Sequence, residues 1–125
     1  MVVHSTFPDF ALFLYIHMAY ADGHYHPAEH DTVLEKLTKL FPGEPDPRAK
    51  LEAAIQGYNK LDSNELPQII KDGFKHFSHV TFPQRYKVYT DLYDIINADG
   101  KVDESELRAI NVLKDIINAG SEHPR

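Results

Sequence analysis

Apolar residues recur along this chain at helical spacing almost throughout. Phe10, Phe13, Leu14, His17, Met18 and Ala21 fall on one face of a first helix that starts near Pro8 and stops at Gly23. Leu12, Tyr15, Ile16 and Ala19 make its other faces apolar as well, the pattern of a central helix. A second helix opens at Pro27 and carries Val33, Leu34, Leu37, Leu40 and Phe41. After a Pro- and Gly-rich loop, Pro47 opens a third, with Leu51, Ala54, Ile55, Tyr58 and Leu61 facing inward, and Asp62-Ser63-Asn64 breaks it. Leu66, Ile69, Ile70, Phe74 and Phe77 mark a fourth helix, weakened by Gly73.

Residues 78–82 read as a connection, and Pro83 opens a fifth helix that also looks central. It has two apolar faces, one of Tyr86, Tyr89, Tyr93 and Ile96, the other of Val88, Leu92 and Ile95; the tyrosines read as core. Gly100 stops it. A sixth helix is expected over about 104–118, with Leu107, Ile110, Leu113 and Ile117, and a frayed tail over 120–125. No run of period-two alternation predicts a strand. The expectation is one all-α domain over 1–125, of about six helices.

The helical frame repeats a phrase. Ala21-Asp22-Gly23 is followed by Glu29, and Ala98-Asp99-Gly100 by Glu106, the Glu seven residues after the Asp in both copies. Each copy joins an apolar helix to a helix with Glu in its first turn. Outside these residues the copies share little identity. The repeat predicts an internal pseudo-two-fold, with the two central helices side by side.

The carboxylates have ordinary uses. Gly23 and Gly100 can serve as helix C-caps. Glu106 can form a capping box with Asp103, and Glu29 suits a helix N-terminus. Asp22 and Asp99 are harder to place, because an anion at a helix C-terminus is disfavoured by roughly 0.3–1 kcal/mol. Each needs an amide of its own loop, or a cation shared with the Glu that follows. Carboxylate and carbonyl oxygens suit hard ions such as Ca²⁺ or Mg²⁺. With Asp99 at the fifth position of an EF-hand, Gly100 falls on the glycine, Val102 on the apolar position and Glu106 on the terminal Glu, while Asn97 and Asp103 take two further ligand positions. The opening position, however, holds Ile95. In the first copy Met18, Tyr20 and His26 occupy ligand positions, so an orthodox Ca²⁺ loop is not expected in either.

These phrases, Ala21-Asp22-Gly23-His24-Tyr25 with Glu29 and Ala98-Asp99-Gly100-Lys101-Val102 with Glu106, resemble the TerB-like (tellurite-resistance B) family over nearly the whole chain. The resemblance implies an all-helical fold, a link to tellurite resistance and stress responses, and a metal site at Asp22, Glu29, Asp99 and Glu106. Related domains occur fused to chaperone or membrane partners. His26-Pro27 departs from the more acidic second loop, which sets equal use of the two loops in question.

Histidine adds one option. His24, His26 and His30 cluster at the first loop, and a mixed site of Asp22, Glu29 and His26 or His30 would favour Zn²⁺ or Mn²⁺. His17, on an apolar face, reads as a hydrogen-bonded core residue, and His76 and His79 as surface or helix-end residues.

Composition narrows the functions. The net charge of −6 repels phosphate backbones and argues against nucleic acid, while leaving cations and basic proteins as partners. Zero cysteines remove disulfides, thiolate zinc sites and cysteine nucleophiles. The apolar stretch 10–21 is too short to span a bilayer and lacks the flanks of a signal peptide, so a cytoplasmic location without membrane insertion is expected. Hydrolase, phosphate-loop and dinucleotide motifs are absent from the sequence. The reading is a non-enzymatic module that binds a divalent cation. The alternatives are an adaptor whose acids serve as caps or as a docking patch, and a metal-dependent hydrolase.

Overall fold

The computed structural model describes residues 4, 6–20, 27–77, 79–98, 104, 107, 108 and 111. Among them are five α-helices and no strand: α1 (Phe7–Ala19), α2 (Pro27–Leu40), α3 (Pro47–Asn59), α4 (Leu66–His76) and α5 (Phe82–Ile96), with a 3-10 turn at Ser63–Glu65. The expected sixth helix falls mostly outside the described residues. Those it includes, Glu104, Leu107, Arg108 and Asn111, are helical.

Local chemistry starts the helices where the sequence places proline. Thr6 Oγ1 accepts the Asp9 amide at 3.3 Å and donates to Asp9 Oδ2 at 2.8 Å, with Pro8 in the first turn of α1. Asp46 Oδ1 takes the Ala49 amide at 3.1 Å ahead of α3. At α5, Gln84 Oε1 accepts the Thr81 amide at 3.2 Å, a capping-box contact. Asp62 Oδ1 takes the Asn64 amide at 2.9 Å, which turns the predicted break after α3 into the 3-10 turn.

Helix α1 is central: nine of its thirteen residues are buried, and α2, α3 and α5 pack around it. A helix apolar on every side has no face to give to water, so its neighbours must enclose it. Each fully buried Phe or Leu on it contributes roughly 1.5–3 kcal/mol relative to exposure. Helix α4 closes the N-terminal end of α1 with an aromatic cluster, Phe74 edge-on to Phe10 at 5.1 Å and Phe77 at 5.6 Å. There Gly73 is not a weakness of α4 but its point of closest approach. A Cβ at that position would lie 2.8 Å from Cδ1 of the Phe10 ring and nearer still to two other ring atoms.

The contacts fix helix directions. Lys50 of α3 lies 3.9 Å from Asp9, and Tyr58 bonds His17 at 2.9 Å, so α3 runs parallel to α1. Phe41, just past α2, holds the Lys50 ammonium over its ring at 4.2 Å, so α2 ends where α1 begins and runs antiparallel to it. Phe77 packs on Phe7 and Phe10, five residues ahead of α5, and Asp91 meets Tyr15; α5 therefore runs parallel to α1. The C-terminal ends of α1 and α5 and the N-terminal turn of α2 thus lie at one end of the bundle.

The buried stripe of α5 is Val88, Asp91, Leu92, Ile95 and Ile96. The tyrosine face does not belong to it: Tyr86 is 53% exposed and Tyr93 40%. Their spacing is helical, but the phenol hydroxyl lets such a face border water, and the core is closed by the other stripe.

Candidate functional site

The acidic phrases attach at the end where the helix termini gather. Glu29 belongs to the first turn of α2 and is completely buried, at 0% exposure. It shares a face with Val33, Lys36 and Leu37, which all point into the bundle. Tyr20 caps α1 and Asn97 caps α5 at this same end, and the Asn97 side-chain amide donates to the Tyr93 carbonyl at 2.9 Å. Each helix C-terminus carries roughly half a negative elementary charge, and the α2 N-terminus a similar positive one. Of the four predicted ligands the structure places Glu29; Asp22, Asp99 and Glu106 lie outside the described residues, as do His24 and His26. Among the described residues no three His, Asp or Glu side chains gather as a metal site.

Below this end lies an ionic cluster that sequence reasoning missed. Tyr15, fully buried on α1, donates its hydroxyl to Asp91 Oδ2 of α5 at 2.7 Å. Lys36 of α2 reaches Asp91 Oδ1 at 3.2 Å and Asp94 Oδ2 at 2.8 Å, and Lys87 reaches Asp91 Oδ1 at 2.7 Å. Burial by itself would raise the Asp91 pKa, but the bonds from Lys87, Tyr15 and Lys36 outweigh it and hold it below the usual carboxylate range. Burial likewise opposes the charge on Lys36, and its bonds to Asp94 and Asp91 reverse that, raising its pKa. The Tyr15 hydroxyl is pushed far up by burial and by the adjoining carboxylate, so it stays a donor. The cluster ties α1, α2 and α5 together below that end: Tyr15 stands before the end of α1 and Asp91 before the end of α5 by roughly 6–8 Å along the axes, and Lys36 stands past the start of α2 by roughly 13–14 Å. The one signal in the sequence was Lys36 standing at helical spacing among Val33 and Leu37.

His17 is hydrogen-bonded, as its sequence position predicts, but half-buried at the edge of the core rather than inside it. Its Nδ1 lies 2.9 Å from Tyr58 Oη, and burial lowers its pKa, so the ring stays neutral at pH 7. Burial, then the neighbouring Tyr20, pushes Tyr58 up to about 12. His76 and His79 are exposed, as expected.

A second feature, a cleft of about 380 Å³, opens between α1 and α3, lined by Leu12, Phe13 and Ile16 on one side and by Ala53, Ala54 and Gly57 on the other. A Cβ at Gly57 would meet nothing within 4 Å, in contrast to Gly73.

Among the described residues no helix is long and apolar enough to cross a membrane. Comparison with curated proteins and with solved structures returns no match. The model of the family described as tellurite resistance protein TerB matches residues 9–123, which takes in all but the first two residues of α1, the whole of α2 to α5 and both acidic phrases. With an all-helical fold around α1 and that match over nearly its whole length, the chain belongs to the TerB family.

Proposed function

We propose that this TerB-family chain is a non-enzymatic, cytoplasmic module of tellurite-resistance or stress responses that binds a divalent cation. Asp22, Glu29, Asp99 and Glu106 would supply the ligands. The observation that carries the reading is the position of Glu29: a fully buried carboxylate at the end of the bundle where α1 and α5 both present their C-termini. Two helix C-termini and a buried carboxylate meet the single positive N-terminus of α2 there, and each acidic phrase adds an Asp just past a helix C-terminus, on the side the dipole disfavours. A cation answers all of these charges together. Oxygen donors favour Ca²⁺, Mg²⁺ or Mn²⁺, and Zn²⁺ enters if His26 or His30 joins. The cluster of Tyr15, Lys36 and Asp91 would brace the helices that carry the ligands.

Thermal denaturation in Ca²⁺, Mg²⁺, Mn²⁺ or Zn²⁺ tests this. At least one ion raises the Tm of the wild type and not that of Asp22→Ala, Asp99→Ala, because a ligand bound by the folded state alone stabilises it by mass action. Equal behaviour of the two proteins refutes it.

The exposed tyrosines of α5 favour a second reading, an adaptor for a protein partner. Tyrosine is enriched at interfaces, and Tyr86 and Tyr93 lie on the same helix flank with Tyr89 between them, 6.0 Å from each by ring centroids. That reading predicts partner binding insensitive to chelator and lost in Tyr86→Ser, Tyr93→Ser.

A further inference from the structure

Arg85 is a buried cation that the chain itself does not answer. Fourth in α5, it lies on the buried stripe with Val88 and Leu92 and is 6% exposed. Its backbone is spent in the helix, the amide bonding the Thr81 carbonyl at 3.1 Å. Its guanidinium is not spent. Nε is sealed from solvent without a hydrogen-bond partner, and among the described residues no carboxylate pairs with the group. A guanidinium does not shed its proton inside proteins, so its burial calls for a counter-charge. Asp91, the carboxylate on the same stripe, is taken by Tyr15, Lys36 and Lys87. At the end of the bundle where α5 starts, Asp9 is taken by Thr6 and Lys50, and Glu44 by the Asp46 amide. One turn away along α5 itself stand Thr81, Phe82, Val88 and Tyr89, none of them acidic. We infer that Arg85, together with the first turn of α5, is a site for a small inorganic oxyanion of the phosphate or sulfate class.

The place favours an anion on a second count. A long side chain on a helix leans toward the N-terminus, which sets the guanidinium over the first turn of α5. That turn carries the positive pole of the helix, which disfavours a cation and attracts an anion. Helices α1 and α3 start at this same end and α2 and α4 finish there, so three positive poles face two negative ones. An oxyanion answers the guanidinium and the surplus pole together. The small exposure sets the size of the ligand. Of the three guanidinium nitrogens only Nε is sealed, and an oxyanion binds through a few directed N–H bonds rather than through contact area. A tetrahedral ion can give two oxygens to the fork and still turn others to the helix pole, whereas a planar carboxylate spends both on the fork. The net charge of −6 holds polyanions away from the surface, which leaves small ions.

Inorganic phosphate, sulfate and acetate are titrated against the full chain by calorimetry and ¹H–¹⁵N NMR, with chloride at matched ionic strength as the reference. EDTA is present throughout, which keeps the result separate from the cation reading. Phosphate and sulfate bind, and acetate binds more weakly. The sealed Arg85 Nε–H gives an NMR signal identified by its loss in Arg85→Lys; phosphate shifts it together with the amides of Gln84 and Arg85. Arg85→Lys keeps the charge without the fork and weakens phosphate about tenfold. Arg85→Met abolishes binding. Its Tm in chloride equals or exceeds that of the wild type, because no unpaired charge is buried, and it gains nothing from phosphate. No phosphate binding beyond chloride, an unmoved Nε signal, binding retained in Arg85→Met, or a Tm of Arg85→Met well below wild type in chloride each overturns the inference.

Discussion

Removing the Asp91 carboxylate should cost this protein a large share of its stability. In Asp91→Ala the Tyr15 hydroxyl loses its acceptor at 2.7 Å inside a residue with no exposure, and Lys36, 8% exposed at its side chain, loses the nearer-buried of its two carboxylates. An unsatisfied buried hydroxyl costs about 1–3 kcal/mol. Breaking a buried ion pair costs about 3–5 kcal/mol, but Lys36 keeps Asp94 at 2.8 Å, and Asp94 is 60% exposed, so the charge is not stranded and the lower end applies. Lys87, 63% exposed, loses little. Because these terms overlap, we expect a net loss of about 3–4 kcal/mol, against a typical total of roughly 5–15 kcal/mol. Equilibrium urea denaturation reads it as a fall in midpoint at unchanged slope. Lys87→Met, which removes the exposed partner of the same carboxylate, should cost under about 1 kcal/mol. The folded pKa of Asp91 lies below its unfolded value of about 3.9, so its contribution is fully present above that value and lost as pH falls through the folded one. Asp91→Asn should therefore show a shallower loss of stability below about pH 4 than the wild type. A loss under about 1 kcal/mol for Asp91→Ala, or one equal to that of Lys87→Met, would refute the claim that this cluster holds α1, α2 and α5 together.

The two glycines of α3 and α4 should respond oppositely to alanine. Gly73→Ala drives a methyl into the Phe10 ring, and overpacking of about 1–3 kcal/mol outweighs the gain in helix propensity, so the Tm falls; adding Phe10→Leu should recover part of it. Gly57→Ala meets open space and should raise stability by about 0.5–1 kcal/mol, a Tm increase of a few degrees; a lower Tm would mean that the cleft wall is packed more tightly than its geometry shows. His17 has a folded pKa below its unfolded value of about 6.5, so its contribution is full above that pH and falls away as the solution is acidified through the folded pKa. NMR titration should find His17 titrating below the ordinary imidazole value of about 6.5, and a midpoint at or above that value would contradict its burial.

What the sequence reveals and what it hides follow from how far apart partners stand along the chain. Helix α1 was legible because every face is apolar, a property of adjacent residues, and the helix starts were legible because proline and its cap lie within one turn. The pair of Ala-Asp-Gly phrases was legible as a family mark for the same reason. The α5 core was misread where two apolar stripes competed. Both read as apolar; the one that is buried, with Val88, Leu92 and Ile95, also carries Arg85 and Asp91, which an apolar pattern passes over. Asp91 is acceptable in the core because Tyr15, 76 residues away in sequence, donates to it and Lys36 neutralises it. No local window contains that pairing. The same argument bears on the acidic end. An Asp after a helix, read alone, is a mild electrostatic fault; the parallel course of α1 and α5 brings both helix ends to the side where Glu29 is buried, and so turns two separate faults into one shared charge. On the proposed reading the phrases supply the donors, and the distant contacts of Tyr15, Lys36 and Asp91 decide that the helices leading into them end together. If the cluster is what keeps those ends in register, Asp91→Asn should weaken any cation-dependent rise in Tm even though Asp91 stands roughly 7–8 Å from the end of α5 and outside the proposed ligand set.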